Sequence, residues 1–533
     1  MPVDIDHRRL AARRSRMQAW LIPAILTLIA GIGLLAATDA KTSPRPLTDS
    51  ALTAEDIAWL KRDSFGIDSN ELAQYRQLGR KAFLDAQLAD RGDTLPPAIS
   101  SLIGSYEAIS TPVTQLAIQY RDAAQEIKSM ADGDPKIAAK KARRIQARQL
   151  AVQAQQAELL HAVYGGNQLK EQMVWFWLNH FSVYAAKGGV SIMAADYQEN
   201  VIRPHALGKF RDLVVATLKS PAMLLFLDNA KNVKDKTNEN YARELMELHT
   251  LGVGAGYTQQ DVQQLALILT GAGMAGRGGD GGFFRQRANV ERDGLFAFHP
   301  DKHDFSRKVF LGHTISGSGA DEIDQAIDLI VKQPACAQFV SRQLASYFVA
   351  DNPPQALVDA MAKTFQRTDG NIADVLRTMF LSPELTANAG KKFKDPTQFM
   401  VSSMRLAYDG QPVTNAMPMV NWLRQMGEPV YGRITPDGWP LDSTSWSGSG
   451  QMAKRFDVAR AIGSGHNLLF AASGAITPDA MPAQIAPPKL DNAIYRETIE
   501  PTLSPAARTA LSKAASPVEW NTFLLSSPEF NYR

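Results

Sequence analysis

From Thr111 to Tyr164 the chain holds helical spacing almost without pause. The one break, Gly133-Asp134-Pro135, folds the run back on itself as a helical hairpin. Pro112 stands at a first helical turn, where a missing N–H costs nothing. A chain that commits so long a stretch to paired helices is expected to bury its apolar residues helix against helix. The second arm, Lys136–Tyr164, is rich in Ala, Gln, Lys and Arg. Lys136, Lys140, Lys141, Arg143, Arg144 and Arg148 crowd its first half. Such a run is most often a solvated face; the sharper reading is contact with an anionic surface.

The remaining pattern points the same way. Thr53–Gly66 reads as a capped helix and Ser69–Ala89 as a second. Helices are expected over Gln168–Ala186, over Asn200–Leu227 with breaks at Pro204 and Pro221, and over Asn238–Gly252. Thr258 caps the next, Gln259–Thr270, with Asp261 at its third position. Helices resume at Asp321 and continue to the loop Pro436–Ser449. Gly271–Gly282 holds seven glycines in twelve residues but lacks the Gly-Lys-Ser/Thr ending of a phosphate loop, so it reads as a flexible loop. Only Phe283–Thr314 looks irregular or β-like. A length of 533 residues exceeds what one core usually serves. Two lobes are expected, residues 41–166 with the hairpin and residues 167–533.

Hydrophobic content of 45% and charged content of 21% place the chain among ordinary globular proteins. A net charge of +3, with no basic stripe interleaved with aromatics, gives no reason to expect nucleic acid. Cys336 is the single cysteine, which excludes an intrachain disulfide and a Cys-based zinc or iron–sulfur site. The N-terminus speaks to compartment. Arg8, Arg9, Arg13, Arg14 and Arg16 precede an uncharged, largely apolar run, Met17–Thr38, closed by Asp39. That is a basic segment followed by a membrane-length span, residues 17–38, with the arginines inside and the remainder outside. Residues 1–40 are either an uncleaved signal anchor or a cleaved export signal with Thr38-Asp39-Ala40 as a poor cleavage site. Arg13-Arg14 allows a twin-arginine signal, although Arg16 stands where an apolar residue is usual. The expected class is mainly α: a multi-helical ectodomain with a small irregular or β-like insert, behind one N-terminal membrane segment. The expected location is inner-membrane-anchored or exported, with a periplasmic main domain.

Three polar clusters are candidates for chemistry. On an ideal helix Asn240, Arg243, Glu244 and Glu247 fall within one arc of about 100°. Two carboxylates a turn apart bind a divalent cation, or serve as acid and base when their pKa values are pushed apart. The plainer meaning is an Arg243–Glu247 ion pair. His249 lies about 160° from Glu247 on the same wheel, so it reads as packing rather than as a ligand. The second cluster is His299, Asp301, His303, Asp304 and Lys308. It suits a general base or a metal ligand with its orienting partner, or else a turn in which Asp304 caps the next element. The third is the loop of Trp439 and Trp446 with Asp437 and Asp442, which would hold a sugar ring or simply anchor itself. His180 shares a face with Met173, Phe176, Trp177 and Tyr184, which favours a core histidine over a ligand; Glu171 points the other way.

These strings also carry a resemblance. NENYARELMELHTLG at Asn238–Gly252, continued by GYTQQDV and LTG, closely resembles the large bacterial family catalogued as domain of unknown function 1800. Trp175–Val183 is similar to its FW-x-NHF-x-V element. His303-Asp304 with Lys308 and Leu311-Gly312 is similar to its HD…K…LG element. Pro436–Pro440 matches P-x-GWP, and Ser526–Arg533 matches SSPEF-x-YR. His299 falls outside the family pattern, and the chain departs from it at Gly271-Ala272 and Phe305-Ser306. The resemblance implies an exported envelope protein with an exported sulfatase-like partner, and supplies no reaction.

Two functions follow as expectations. In the first, the polar elements converge on one pocket that binds a divalent metal and hydrolyses or modifies an envelope polymer or a small anionic substrate. Glu244, Glu247, Arg243, His303 and Asp304 would act on substrate. Asn240, Lys308 and Trp439 would bind it, and His180, Glu244, Glu247 and His303 would hold the metal. In the second, the acidic/Arg motif is a structural ion-pair network in a non-catalytic binding or assembly protein.

Overall fold

Helices begin where the sequence supplies a cap. Thr53 and Thr258 each close a capping box, with Asp56 and Asp261 at the third helical position, and open Ala54–Asp63 and Gln259–Ile268. The computed structural model describes residues 52–90, 94–275, 291–465, 467–471 and 486–533. Helix takes 64% and strand 5%, so the mainly α class holds. The expected membrane span at residues 17–38 lies outside the described residues, as do 276–282 of the glycine-rich loop and 283–290 of the β-like region. Among the described residues no helix is long and apolar enough to cross a membrane.

The hairpin forms as expected, from Val113–Ser129 and Asp134–Tyr164 with Gly133 at φ 150° between them. Its inner half is buried through Leu150, Ala154, Ala157 and Leu160, against the helices Pro396–Tyr408 and Met417–Met426 among others. Small alanine side chains let those helices approach closely. One apolar cluster runs from Trp59 through Leu159 to Phe399 and Leu525, so the hairpin shares its core with the helices that follow. The expected helix Ser69–Ala89 is two helices, Ser69–Leu78 and Arg80–Leu88. Gly79 at φ 74° breaks the ladder between them.

A polar knot ties the hairpin to the site helix. Arg203 is buried, and its Nη1 donates to both carboxylate oxygens of Glu171 at 2.8 and 2.9 Å. Its Nη2 donates to Glu158 at 3.1 Å, and its Nε lies 3.4 Å from Glu199. Glu158 lies in the buried last third of the hairpin's long arm, Glu171 in the first turn of the helix Gln168–His180, and Glu199 in a π-type turn, Tyr197–Ile202. One guanidinium thus fixes three elements.

The β-like region is two small antiparallel sheets. One has the order β1-β3-β2, from Ala272–Met274, Phe296–Phe298 and Glu291–Asp293. The other pairs β4, Arg307–Phe310, with β5, His313–Ser316. Leu311 and Gly312 join them at φ 47° and 77°, the positive-φ pair that a two-residue hairpin turn requires. The strained leucine is held because its N–H donates to Asp261 at 2.8 Å.

Candidate functional site

The motif Asn238–Gly252 is α-helical only over Asn240–Glu244; Leu245–Thr250 winds as a π turn, with the Leu251 N–H reaching the Met246 carbonyl at 2.9 Å. The single α face expected for Asn240, Arg243, Glu244 and Glu247 therefore ends at Glu244. Asn240 is exposed and donates to the Leu227 carbonyl at 3.2 Å. Arg243 donates to Glu247 at 3.3 Å, Glu239 at 3.0 Å and Gln259 at 2.8 Å, clasping the next helix. The ion pair read from the spacing is present. The Glu244 side chain makes no hydrogen bond among the described residues. Burial, and after it the charge of Glu247, raise its carboxyl above the usual range; Arg243 opposes and Asp437 adds to them. His249 faces the core, as its place on the wheel suggests.

Glu247 and His180 meet at a cavity of about 410 Å³, which Phe176, Asn179, Phe339, Gln343, Asp437 and Trp439 also line. Three family strings build it. Asn179 of NHF grips the backbone of Trp439 in GWP: its Oδ1 accepts the Trp439 N–H at 2.6 Å and its Nδ2 donates to the Trp439 carbonyl at 2.9 Å. Gly438 lies against the same asparagine at φ 72°, and a Cβ there would stand 2.2 Å from the Asn179 carbonyl oxygen. Trp446 is buried edge-on to Trp439, with ring centroids 6.3 Å apart, and Arg433 pairs with Asp437 at 2.6 Å. Trp439 is left half-buried, one part packed and one part open. Gly438→Ala is expected to unseat Trp439, since the backbone strain alone costs about 1–3 kcal/mol. Tryptophan fluorescence and proteolysis of the loop read that release.

His180 donates Nε2–H to the His249 carbonyl at 2.8 Å, which leaves its lone pair on Nδ1. Its ring stacks on Phe176 at 5.9 Å. Burial lowers its pKa from 6.5 to about 4. Burial and then His180 lower that of His249 from 6.5 to about 3. Both rings stay neutral in the fold but take a proton once unfolded. The stability they contribute is complete above the unfolded pKa near 6.5. It is lost as pH falls toward the folded values, at about 1.4 kcal/mol per pH unit for each ring. His249→Phe is expected to flatten the acid limb of the stability–pH curve by one such slope, measured by urea unfolding from neutral pH downward.

The His303 cluster does not join this cavity. His303, Lys308 and Glu322 are all fully buried together. Glu322 accepts from Lys308 Nζ at 2.7 Å, from His303 Nε2 at 3.0 Å and from the Gly319 N–H at 3.1 Å. Burial pushes the Glu322 carboxyl up, and these hydrogen bonds outweigh it, so its pKa ends below the usual value. His303 Nδ1 faces the Thr270 carbonyl at 2.7 Å. Both ring nitrogens thus have hydrogen-bond partners. Asp304 is a turn residue: its Oδ1 accepts from the Ser306 N–H at 2.8 Å, and its own N–H donates to Thr270 Oγ1 at 2.9 Å. Lys308 donates onward to the Asp304 carbonyl. Gly271, at φ 81°, leaves no room for a Cβ, which would lie 2.7 Å from the His299 carbonyl oxygen and 3.2 Å from the His303 side chain. The strings LTG and HD…K therefore form a buried latch. His303, Asp304 and Lys308, expected at one site with Glu244 and Glu247, lie in this latch and not on the cavity wall. Glu322 was not among the expected residues; at the start of the helix Asp321–Val331 it looks like an ordinary first-turn acid.

The expected metal set is not assembled. His180 Nε2 is committed to His249, both nitrogens of His303 are engaged, and Glu247 is paired with Arg243. Among the described residues no three His, Cys, Asp or Glu side chains are grouped to hold an ion. The sequence does not single out Asn179, Phe339 or Gln343 as wall residues; the string NHF carries the signal for Asn179, while Asp437 occupies the unspecified position of P-x-GWP.

The fold and cavity define a class: a multi-helical protein with an aromatic and acidic pocket. The chain belongs to the family described as "Protein of unknown function (DUF1800)", whose model matches residues 58–532. No curated protein and no solved structure matches it.

Proposed function

We propose that this is a cell-envelope protein that binds a sugar unit of an envelope glycan in the cavity beside Trp439. The composition of the wall carries the reading: a half-buried indole, two phenylalanines, two carboxylates, two amides and a neutral imidazole. A sugar ring offers an apolar face to an indole and hydroxyls to acceptors, and brings no charge. The lining residues include no lysine or arginine to hold an anion, and the carboxylates of Glu247 and Asp437 already engage Arg243 and Arg433, so the small anionic substrate expected from sequence is the poorer fit. The N-terminal basic and apolar run supports a membrane-anchored or exported chain with a periplasmic main domain. An exported sulfatase-like partner would act on the same polymer.

A second reading, hydrolysis of the bound glycan, is favoured by Glu244. Glu244 is not itself on the wall. It follows Arg243 close enough to Glu247 and Asp437 of the wall for their charge to add to burial in raising its carboxyl, as a general acid requires. Calorimetric titration with chitotetraose and with soluble peptidoglycan fragments tests the first reading. Trp439→Ala is expected to weaken binding by about thirtyfold, the cost of truncating a central aromatic anchor. Unchanged affinity in that variant, or no saturable binding by the wild type, rejects it. Glu244→Gln separates the readings: binding stays, and any turnover of the fragments stops.

A further inference from the structure

We propose that the basic tip of the helical hairpin docks onto the anionic headgroups of a phospholipid bilayer. Between Lys136 and Arg148 lie six basic residues and no acidic one, in a chain whose total charge is only +3. Between the arms is a cleft of about 510 Å³ lined by Lys128, Lys136, Lys140, Arg143 and Arg144 over the ring of Tyr120. Part of the cleft is built. Lys136 donates to Asp132 at 2.9 Å and to the Met130 carbonyl at 3.0 Å. Arg143 lies 3.6 Å over the Tyr120 ring and donates to the Tyr120 carbonyl at 3.1 Å. The remaining cations are exposed. So many like charges around one concavity repel each other until an anion neutralises them.

A soluble phosphate would satisfy the lysines and arginines alone. The same arm also exposes Ile137 (64%) and Ile145 (48%), which a soluble anion leaves in water. Lys141, Arg144, Ile145 and Arg148 follow Ile137 at helical spacing, so cations and isoleucines share one face. The turn at residues 131–135 is exposed throughout, so at its tip that face is not covered by any other part of the described residues. A basic face carrying isolated aliphatic side chains is what an anionic interface takes up: phosphates against the cations, acyl boundary against the isoleucines. The proposal is independent of the sugar pocket and of residues 17–38.

The chain permits a local probe. Cys336 is its single cysteine and is buried, so Ala138→Cys, on the exposed face, takes a polarity-sensitive fluorophore specifically. The labelled full chain is titrated with phosphatidylcholine vesicles, with vesicles that also contain phosphatidylglycerol, and with inorganic polyphosphate. The expected result is a blue shift with protection from an aqueous quencher on the anionic vesicles only. The shift is lost near 1 M salt, where the Debye length falls to about 3 Å. Lys140→Glu and Arg144→Glu are each expected to weaken partitioning by about fivefold or more. Ile137→Ser with Ile145→Ser removes the blue shift. An equal shift on neutral vesicles, or one indifferent to the charge reversals, overturns the proposal. So does tight polyphosphate binding with no response to vesicles, which would give the cleft to a soluble anion.

Discussion

Glu322→Gln is expected to lower the unfolding free energy by about 3–5 kcal/mol, with no loss of ligand affinity in the protein that remains folded. The substitution keeps the shape of the side chain and removes only its charge. Lys308 is then left as a fully buried cation whose nearest remaining carboxylate is that of Asp304, 3.7 Å from its Nζ, and His303 Nε2 loses its carboxylate partner. An unpaired charge in a dry interior costs far more than the pair contributes. With total stabilities of about 5–15 kcal/mol for typical domains, a third or more of the margin is at stake. The double replacement Lys308→Met with Glu322→Leu removes both charges and is expected to recover most of the loss. Denaturant midpoints of the three proteins measure it. Recovery in the double variant identifies the HD…K string as a latch; a catalytic string would not be restored by methionine and leucine.

Arg203→Leu is expected to cost a similar amount, about 3–5 kcal/mol, for the opposite reason. It leaves Glu158 and Glu171, each 1% exposed, without the guanidinium that both of them bind. One carboxyl must then take a proton to stay buried, so its pKa in the fold rises above the unfolded value of about 4.3. A raised carboxyl stabilises below the unfolded pKa and loses that contribution as pH rises. The deficit of Arg203→Leu therefore narrows as pH falls toward about 4.3 and is fully expressed at neutral pH. Arg203→Lys keeps the charge but not the forked geometry that reaches Glu171 twice and Glu158 once, and is expected to restore only part of the stability. Urea unfolding across that pH range distinguishes the three.

Local rules were legible in the sequence. The caps at Thr53 and Thr258, the break at Gly133, the Arg243–Glu247 pair and the burial of His249 each depend on a few neighbouring residues. The joint at Gly79 was not legible, because a glycine inside a helical pattern does not reveal which sign of φ it takes. Nor was the π turn at Leu245–Thr250, whose wider winding is set by what packs against it. The cavity was half legible. Its strings were visible, but Asn179 and Trp439 meet across 260 positions, and nothing local announces that contact. Glu322 was invisible for the same reason: a first-turn acid and a buried counterion look alike until the cations are placed around it.

The division of labour between cavity and latch is settled by one titration. Chitotetraose is added to the wild type, to Trp439→Ala and to Glu322→Gln, each at a temperature where the variant is folded by circular dichroism. The expected result is saturable binding by the wild type and by Glu322→Gln with matching affinity, and a loss of about thirtyfold in Trp439→Ala, whose fold is intact. Binding that survives in Trp439→Ala and disappears in a folded Glu322→Gln would contradict it, and would move the functional site to His303, Lys308 and Glu322.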